Sequence, residues 1–216
     1  MKSYPWLNSY LRDSDLTRIR DAVKKAERGT SAELVPMIVR RSSTVGHVFP
    51  LIFLFLLSLY LYVHQECVDM LEWNVWILDS IALVMVGVFA FGLSRLHWFQ
   101  RFLVTPGDQE SQVEQRALSE FLKTQTNHTD GSTGVLLFIS LLEKKAVVLA
   151  DVAIDRKVEK GAWESVIASL TDGVRSKDLC GGICAALEKC GELLDASFPI
   201  QADDQNELSD ELIIKE

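Results

Sequence analysis

The sequence predicts a mixed α/β fold: a small sheet covered by helices and interrupted by a two-helix hairpin of membrane-spanning length. Three observations carry this. Two long, charge-poor apolar runs crowd the middle third of the chain, short runs rich in β-formers stand on either side of them, and amphipathic helical patterns flank the short runs. The 216 residues include 22 Lys and Arg against 30 Asp and Glu, a formal net charge of -8. This length allows one domain with an embellishment. The acid excess excludes a general nucleic-acid binder, which needs a basic face to neutralise phosphates. Four cysteines in a chain this long make no disulfide framework.

The elements follow in order. The start carries Arg12, Asp13, Asp15, Arg18 and Arg20 and no apolar stretch, unlike a secretory signal peptide. Asp13 or Ser14 caps a helix with Leu16, Ile19, Val23 and Ala26 on one face and Gly29 just beyond it. Residues 32–40, AELVPMIVR, read as a strand. Pro36 cannot donate to a ladder, which assigns this strand an edge position or a bulge. Beyond the apolar runs, Asp108 opens a polar helix with Val113, Ala117 and Phe121 inward, and residues 127–134, NHTDGSTG, form a loop. Residues 135–141 and 146–150, VLLFISL and AVVLA, are two strands joined through Glu143, Lys144 and Lys145 as an antiparallel hairpin. Trp163, Ile167, Leu170 and Val174 recur at helical spacing, as do Ile183, Leu187, Cys190 and Leu194 in a helix that Asp178 caps. The helical crossovers imply at least one parallel strand pair. From Asp203 the chain reads as a solvated acidic tail.

Residues 48–63 (VFPLIFLFLLSLYLYV) carry no charge, and residues 75–93 (VWILDSIALVMVGVFAFGL) carry only Asp79. A hydrocarbon core takes about 20 helical residues, somewhat fewer where flanking groups snorkel. Both runs therefore read as spans, without the polar stripe that a core helix keeps. The eleven residues between them suit a turn, so the runs form a hairpin with both flanks on one side. Arg40, Arg41, Arg95 and Arg101 bracket the spans, while the loop holds Glu66, Asp69 and Glu72 and no Lys or Arg. Positive charge stays inside, which places both termini in the cytoplasm. Trp73, Trp76 and Trp98 fall at span ends, as interfacial rings do. Asp79 lies about one turn into its span with no basic partner in the apolar runs, and Gly87, Ala90, Gly92 and Ser94 offer a small-residue packing side.

The search for chemistry is largely negative. No Walker A, G-x-G-x-x-G, G-x-S-x-G or H-E-x-x-H pattern occurs. Of the four histidines, His47, His64 and His97 adjoin the apolar runs and only His128 lies in a soluble loop. Cys180, Cys184 and Cys190 share one helix without C-x-x-C spacing and read as buried thiols, and Cys67 stands alone in the hairpin loop. The carboxylates remain. Asp151 and Asp155 follow the AVVLA strand at the edge where α/β sheets build sites, and Glu33 and Asp178 lie near other element ends. Such oxygens could hold Ca²⁺ or Mg²⁺, but capping and solvated turns account for them better.

The strings TSAELVPMIVRRSS at 30–43, TGVLLFISLLEKKAVVLADVAID at 133–155, Trp163, and VRSKDLCGGICAALEKCGELL at 174–194 with Phe198 and Pro199 together resemble the TPM-domain family. That family includes a thylakoid-lumen acid phosphatase, a photosystem repair factor and a receptor accessory protein. The resemblance implies a three-layer α/β/α sandwich, frequently membrane-tethered, with acidic loop residues that bind divalent cations in some members. Those metal-associated positions correspond to Asp151, Asp155 and Asp178. Where those members have a glycine-rich stretch, this chain has Val152 to Ile154.

The expected organisation is a discontinuous TPM-like cytoplasmic domain at 1–46 and 96–200, a transmembrane hairpin at 47–95 and an acidic tail at 201–216. The expected function is that of an accessory or scaffold protein presenting its sandwich at the cytoplasmic face of a membrane, a bacterial inner membrane on this reading, to another membrane protein. A divalent-metal-dependent phosphatase is the alternative.

Overall fold

The computed structural model describes residues 4–42, 48–67, 75–96, 106–125, 133–159, 161–200 and 206–216. Trp73, Trp98, Arg101, His47, His97, His128 and most of the 127–134 loop lie outside the described residues, as do the side chains of Cys67 and Trp76. The chain divides into two compact units, Met1–Ser42 with Glu110–Glu216, and Ser43–Gln109.

The first unit is a mixed α/β structure. After a 3₁₀ turn at Leu7–Ser9 come helix α1 (Asp13–Glu27) and strand β1 (Glu33–Val39). Helix α4 (Pro106–Gln125), strands β2 (Gly134–Ser140) and β3 (Lys145–Ala150), and helices α5 (Val152–Asp155), α6 (Glu164–Ser176) and α7 (Leu179–Asp195) follow, with β4 (Ile213–Lys215) last. Sheet order is β3-β2-β1-β4, with β1 parallel to both β2 and β4 and β2 antiparallel to β3. The β2–β3 turn closes with Lys144 at φ 53°, a left-handed position.

Strand periodicity sorts the core into two faces. Leu34, Ile38, Val135, Leu137 and Ile139 pack with Ile19 and Val23 of α1, Val166 and Leu170 of α6, and Ile183 and Leu187 of α7. Val35, Met37, Val39, Leu136 and Phe138 meet Val113 and Ala117 of α4 on the other face. The near-continuous apolar reading of β1 and β2 follows from this, because strands covered on both faces cannot alternate.

Three details differ from the sequence reading. The N-cap position of α1 is Arg12 rather than Asp13 or Ser14, and the Asp15 carboxylate accepts the Arg12 backbone N–H at 2.9 Å. Strand β1 is interior rather than at an edge, yet Pro36 fits it for the reason that suggested an edge. The Leu34 N–H is given to the Glu27 carboxylate and the Arg40 N–H to the Lys215 carbonyl, so even-numbered residues face the β4 side. β4 pairs only from Met37 onward, so Pro36, which pairs with Leu137 of β2 on one side, lacks its donor on the side where β4 has not begun. The third difference is the tail. Its end is not merely solvated: Ile213, Ile214 and Lys215 add a strand beside Met37, Ile38 and Val39.

The second unit holds α2 (Val48–Cys67) and α3 (Val75–Ser94). They pack as a hairpin in which Ile52 and Ala90 are buried against Phe53, Leu56 and Leu93, and the Phe49 and Phe91 rings meet edge-on at 6.4 Å. Gly87 faces the Phe53 ring, whereas nothing stands over Gly92. Among the described residues no helix is long and apolar enough to cross a membrane. The stretches whose side chains are all described, 49–64 and 79–94, cover only about 24 Å each at about 1.5 Å per residue, short of a hydrocarbon core of about 30 Å. As whole elements the two helices have 20 residues each, or about 30 Å.

Candidate functional site

The three acids that the sequence offers as metal ligands lie at element ends: Asp151 precedes and Asp155 ends the short helix α5, and Asp178 precedes α7. Asp151, 5% exposed, precedes α5, and its Oδ1 accepts the Val152 N–H at 2.6 Å. Its backbone N–H goes to the Gly134 carbonyl, which pins the end of β3 to the start of β2. Asp155, one short turn later, is exposed. Asp178 is exposed and caps α7, its Oδ1 accepting the Gly181 N–H at 3.0 Å. Among the described residues no group of three or more His, Cys, Asp or Glu side chains is placed to hold one metal ion. A hard cation takes 6 to 8 oxygen ligands, and this donor set does not fit Ca²⁺ or Mg²⁺. Capping is what the geometry assigns to Asp151 and Asp178.

Four polar clusters stand elsewhere. At the carboxyl ends of β1 and β2, the edge where α/β sheets place ligands, the Ser42 hydroxyl donates to Ser140 Oγ at 2.8 Å. Ser140 donates in turn to Glu143 Oε2 at 2.5 Å, and the Ser42 N–H reaches the same oxygen at 3.3 Å. Ser140 is fully buried, so this chain of bonds ties strand ends together. On α4, Glu120 is 2% exposed and meets Lys215 at 2.5 Å, Arg116 at 3.1 Å and Lys123 at 3.6 Å. Burial opposes its ionisation, but the Lys215 hydrogen bond with the three cations outweighs that and holds its pKa below the ordinary carboxylate value. At the start of β1, Glu27, Glu33 and Asp210 line a groove of about 320 Å³ with Lys24 and Asn206. Burial pushes the Glu27 carboxyl up to about 8, against the Leu34 N–H that it accepts, with Glu33 and Asp210 adding repulsion.

The fourth cluster lies in the hairpin. Asp79 has a basic neighbour after all: Tyr60 donates to its Oδ1 at 2.7 Å, and His64 Nε2 lies 2.9 Å from the same oxygen. Tyr60 and His64 are four residues apart on α2, hence on one face, and their rings are 5.6 Å apart. The spacing was visible in the sequence, but Asp79 faces them only because the hairpin register brings it there. The signal for Glu120 was an acid on the apolar face set by Val113, Ala117 and Phe121. Nothing in the sequence linked Glu27 to Asp210. Of the thiols, Cys180 and Cys190 are buried, with pKa values pushed up by burial to about 11 and about 12, and they are poor nucleophiles.

The hairpin exterior is the most unusual surface. Among the described residues, sixteen large apolar side chains of α2 and α3 are exposed, including Leu54 at 60%, Phe55 at 68%, Tyr62 at 69%, Val84 at 65% and Met85 at 62%. The buried interior of the pair is small, and Asp79 accepts a hydrogen bond from Tyr60 with His64 Nε2 beside it.

No family model matches the chain, and no curated protein matches it. Among solved structures it is similar to the NMR structure of the BA42 protein from the psychrophilic bacterium Bizionia argentinensis, with a TM-score of 0.59 and 17% identity over 95% of this chain and 96% of that one. At this identity the likeness speaks to the fold.

Proposed function

We propose that this chain is a membrane-anchored accessory protein of TPM-like, three-layer α/β/α architecture. Its α2–α3 hairpin sits in a bilayer, and its α/β unit is presented at the cytoplasmic face to another membrane protein. The observation that carries the reading is the apolar exterior of the hairpin. Covering a large apolar side chain that is half to two-thirds exposed gains about 1 kcal/mol. The sixteen exposed among the described residues, at 39% to 69%, amount to on the order of 15 kcal/mol, as much as the whole net stability of a domain. Water is therefore a poor solvent for this surface, and lipid, which wets it on all sides, is a good one. The Asp79 carboxylate, shared between Tyr60 and His64 near one end of α3, suits a polar group held close to an interface.

Two measurements test it. Membranes from expressing cells are washed at alkaline pH, where an anchored hairpin stays in the pellet; complete release into the supernatant refutes the anchor. A membrane-impermeant thiol reagent applied to intact cells is expected to label Cys67 and to spare Cys180, Cys184 and Cys190. The reverse pattern would invert the orientation.

A further inference from the structure

Strand β3 stands at one end of the sheet order and, among the described residues, pairs only with β2. Its residues, KAVVLA, match those of β2 one for one, without a bulge, proline or glycine. The Asp151 N–H donates to the Gly134 carbonyl, its direct partner in the same register, so the odd-numbered residues turn their backbone groups towards β2. Antiparallel pairing alternates, and the N–H and C=O groups of Ala146, Val148 and Ala150 therefore point out of the sheet. Among the described residues nothing bonds to them.

Long apolar edges are normally blunted by charges, prolines, bulges or a cover, because an unpaired backbone recruits another strand. The opposite edge of this sheet is short: β4 has three residues, one of them Lys215. β3 carries a single charge, Lys145, at its first position. Its residues are half-buried, Ala146, Val148 and Ala150 against the face that α6 and α7 cover, Val147 and Leu149 against the α4 face. Leu142 and Val152, 56% and 58% exposed, flank its two ends.

What fits this edge is written in its own sequence. Residues 146–150, AVVLA, read nearly the same in both directions about Val148. A second copy laid antiparallel with a two-fold axis at Val148 sets Ala146 opposite Ala150, Val147 opposite Leu149 and Val148 opposite itself. Each of the three outward residues then faces another, which closes two backbone bonds in every such pair. Moving the axis to Val147 would oppose Ala150 with Lys144, whose φ of 53° is not extended. Moving it to Leu149 would oppose Ala146 with Val152, already the first residue of α5. Charge agrees with the Val148 axis, which sets Lys145 opposite the second copy's Asp151 on the same face and brings no like charges together.

We propose that the open edge of β3 is the surface by which two copies of this chain associate, their β3 strands pairing antiparallel about Val148 to join the two four-stranded sheets into one. The contact is isologous, so it closes as a dimer rather than growing into a filament. It uses the first unit alone and does not depend on the membrane anchor.

Light scattering of the full chain in detergent micelles, with the detergent mass subtracted, tests this. The wild type is expected at twice the 24.3 kDa of one chain. Val148→Pro removes the N–H at the centre of the pairing. That N–H bonds to nothing in β2, so the fold accepts a proline there as edge strands do. Its mass should halve, with the wild-type circular dichroism spectrum retained. Cysteine pairing reads the register without relying on that variant. Cα atoms across a hydrogen-bonded pair lie about 5.5 Å apart, within disulfide reach, whereas Val147 would meet its own counterpart only on a diagonal of about 7–8 Å. On mild oxidation Val148→Cys should give about tenfold more covalent dimer than Val147→Cys, above the background that the native thiols set in the wild type. A monomeric wild type overturns the proposal and leaves an extended segment of another protein as the strand to seek. A folded Val148→Pro chain that stays dimeric overturns it too, as does equal crosslinking at the two positions.

Discussion

The α6–α7 crossing makes the sharpest stability prediction, because two backbones touch there. A Cβ added at Gly173 would lie 2.7 Å from Gly182 Cα, 3.0 Å from the Asp178 carbonyl oxygen and 3.2 Å from the Gly182 nitrogen. One at Gly182 would lie 2.6 Å from Gly173 Cα and 2.8 Å from the Ser169 carbonyl oxygen. Carbon atoms pack favourably at about 3.5–4.0 Å, so either alanine drives the helices apart by about 1 Å. All the close atoms are backbone, and no side-chain rotation relieves them. Overpacking of this kind costs about 1–3 kcal/mol. Alanine returns up to about 1 kcal/mol of helix propensity. The net expectation for Gly173→Ala is a loss of about 1–2 kcal/mol, or a melting temperature lower by about 2–8 °C at this size. Thermal unfolding of the full chain in detergent, followed by tryptophan fluorescence, reads this directly, since Trp163 stands at the N-terminus of α6. Gly107→Ala, where nothing lies within 4 Å of the added carbon, is the control and should melt unchanged or slightly higher. The double variant should lose about 1 kcal/mol less than the sum of the singles, because one separation accommodates both methyls. A Gly173→Ala protein that melts at or above the wild type would refute the reasoning.

Further outcomes follow from the polar clusters. Glu120→Gln should cost about 1–2 kcal/mol at neutral pH, since Lys215 loses a charge-assisted partner. Because the folded pKa of Glu120 lies below its ordinary value, that contribution is present at neutral pH and lost as pH falls through the folded value, so the variant's acid-unfolding limb should be shallower than the wild type's. Asp178→Ala removes the acceptor for the Gly181 N–H and should lower stability by about 1 kcal/mol, with Asp178→Ser recovering most of it in the same melt. Melting points in Ca²⁺, in Mg²⁺ and in chelator should coincide. A shift of roughly 5 °C with either ion, the amount expected at about a hundredfold excess over Kd, and its disappearance in Asp151→Asn would instead restore a metal site at that residue.

Local pattern by itself determined most of the elements. The helices over 13–27, 164–176 and 179–195 and the strands over 33–39, 134–140 and 145–150 were legible because a repeat of 3.6 or an apolar run bounded by turn residues is written in contiguous positions. The two long apolar runs were legible for the same reason. Tertiary structure alone decided what those elements meet. Ile213–Lys215 is too short and too polar in its surroundings to signal a strand, and becomes one because β1 offers a free edge and Glu120 offers Lys215 a partner. Pro36 reads as an edge residue, yet sits in a central strand, in the part that β4 does not reach. Asp79 acquires Tyr60 and His64 across 15 to 19 residues, and Glu120 acquires Lys215 across 95. Asp151 and Asp178 lie near strand and helix ends as the sequence indicates, but whether ends converge on one point depends on how strands are ordered and helices cross. A one-dimensional repeat fixes which face a side chain takes and leaves open what waits opposite that face, because the opposing group comes from a distant part of the chain whose approach only the packed fold defines.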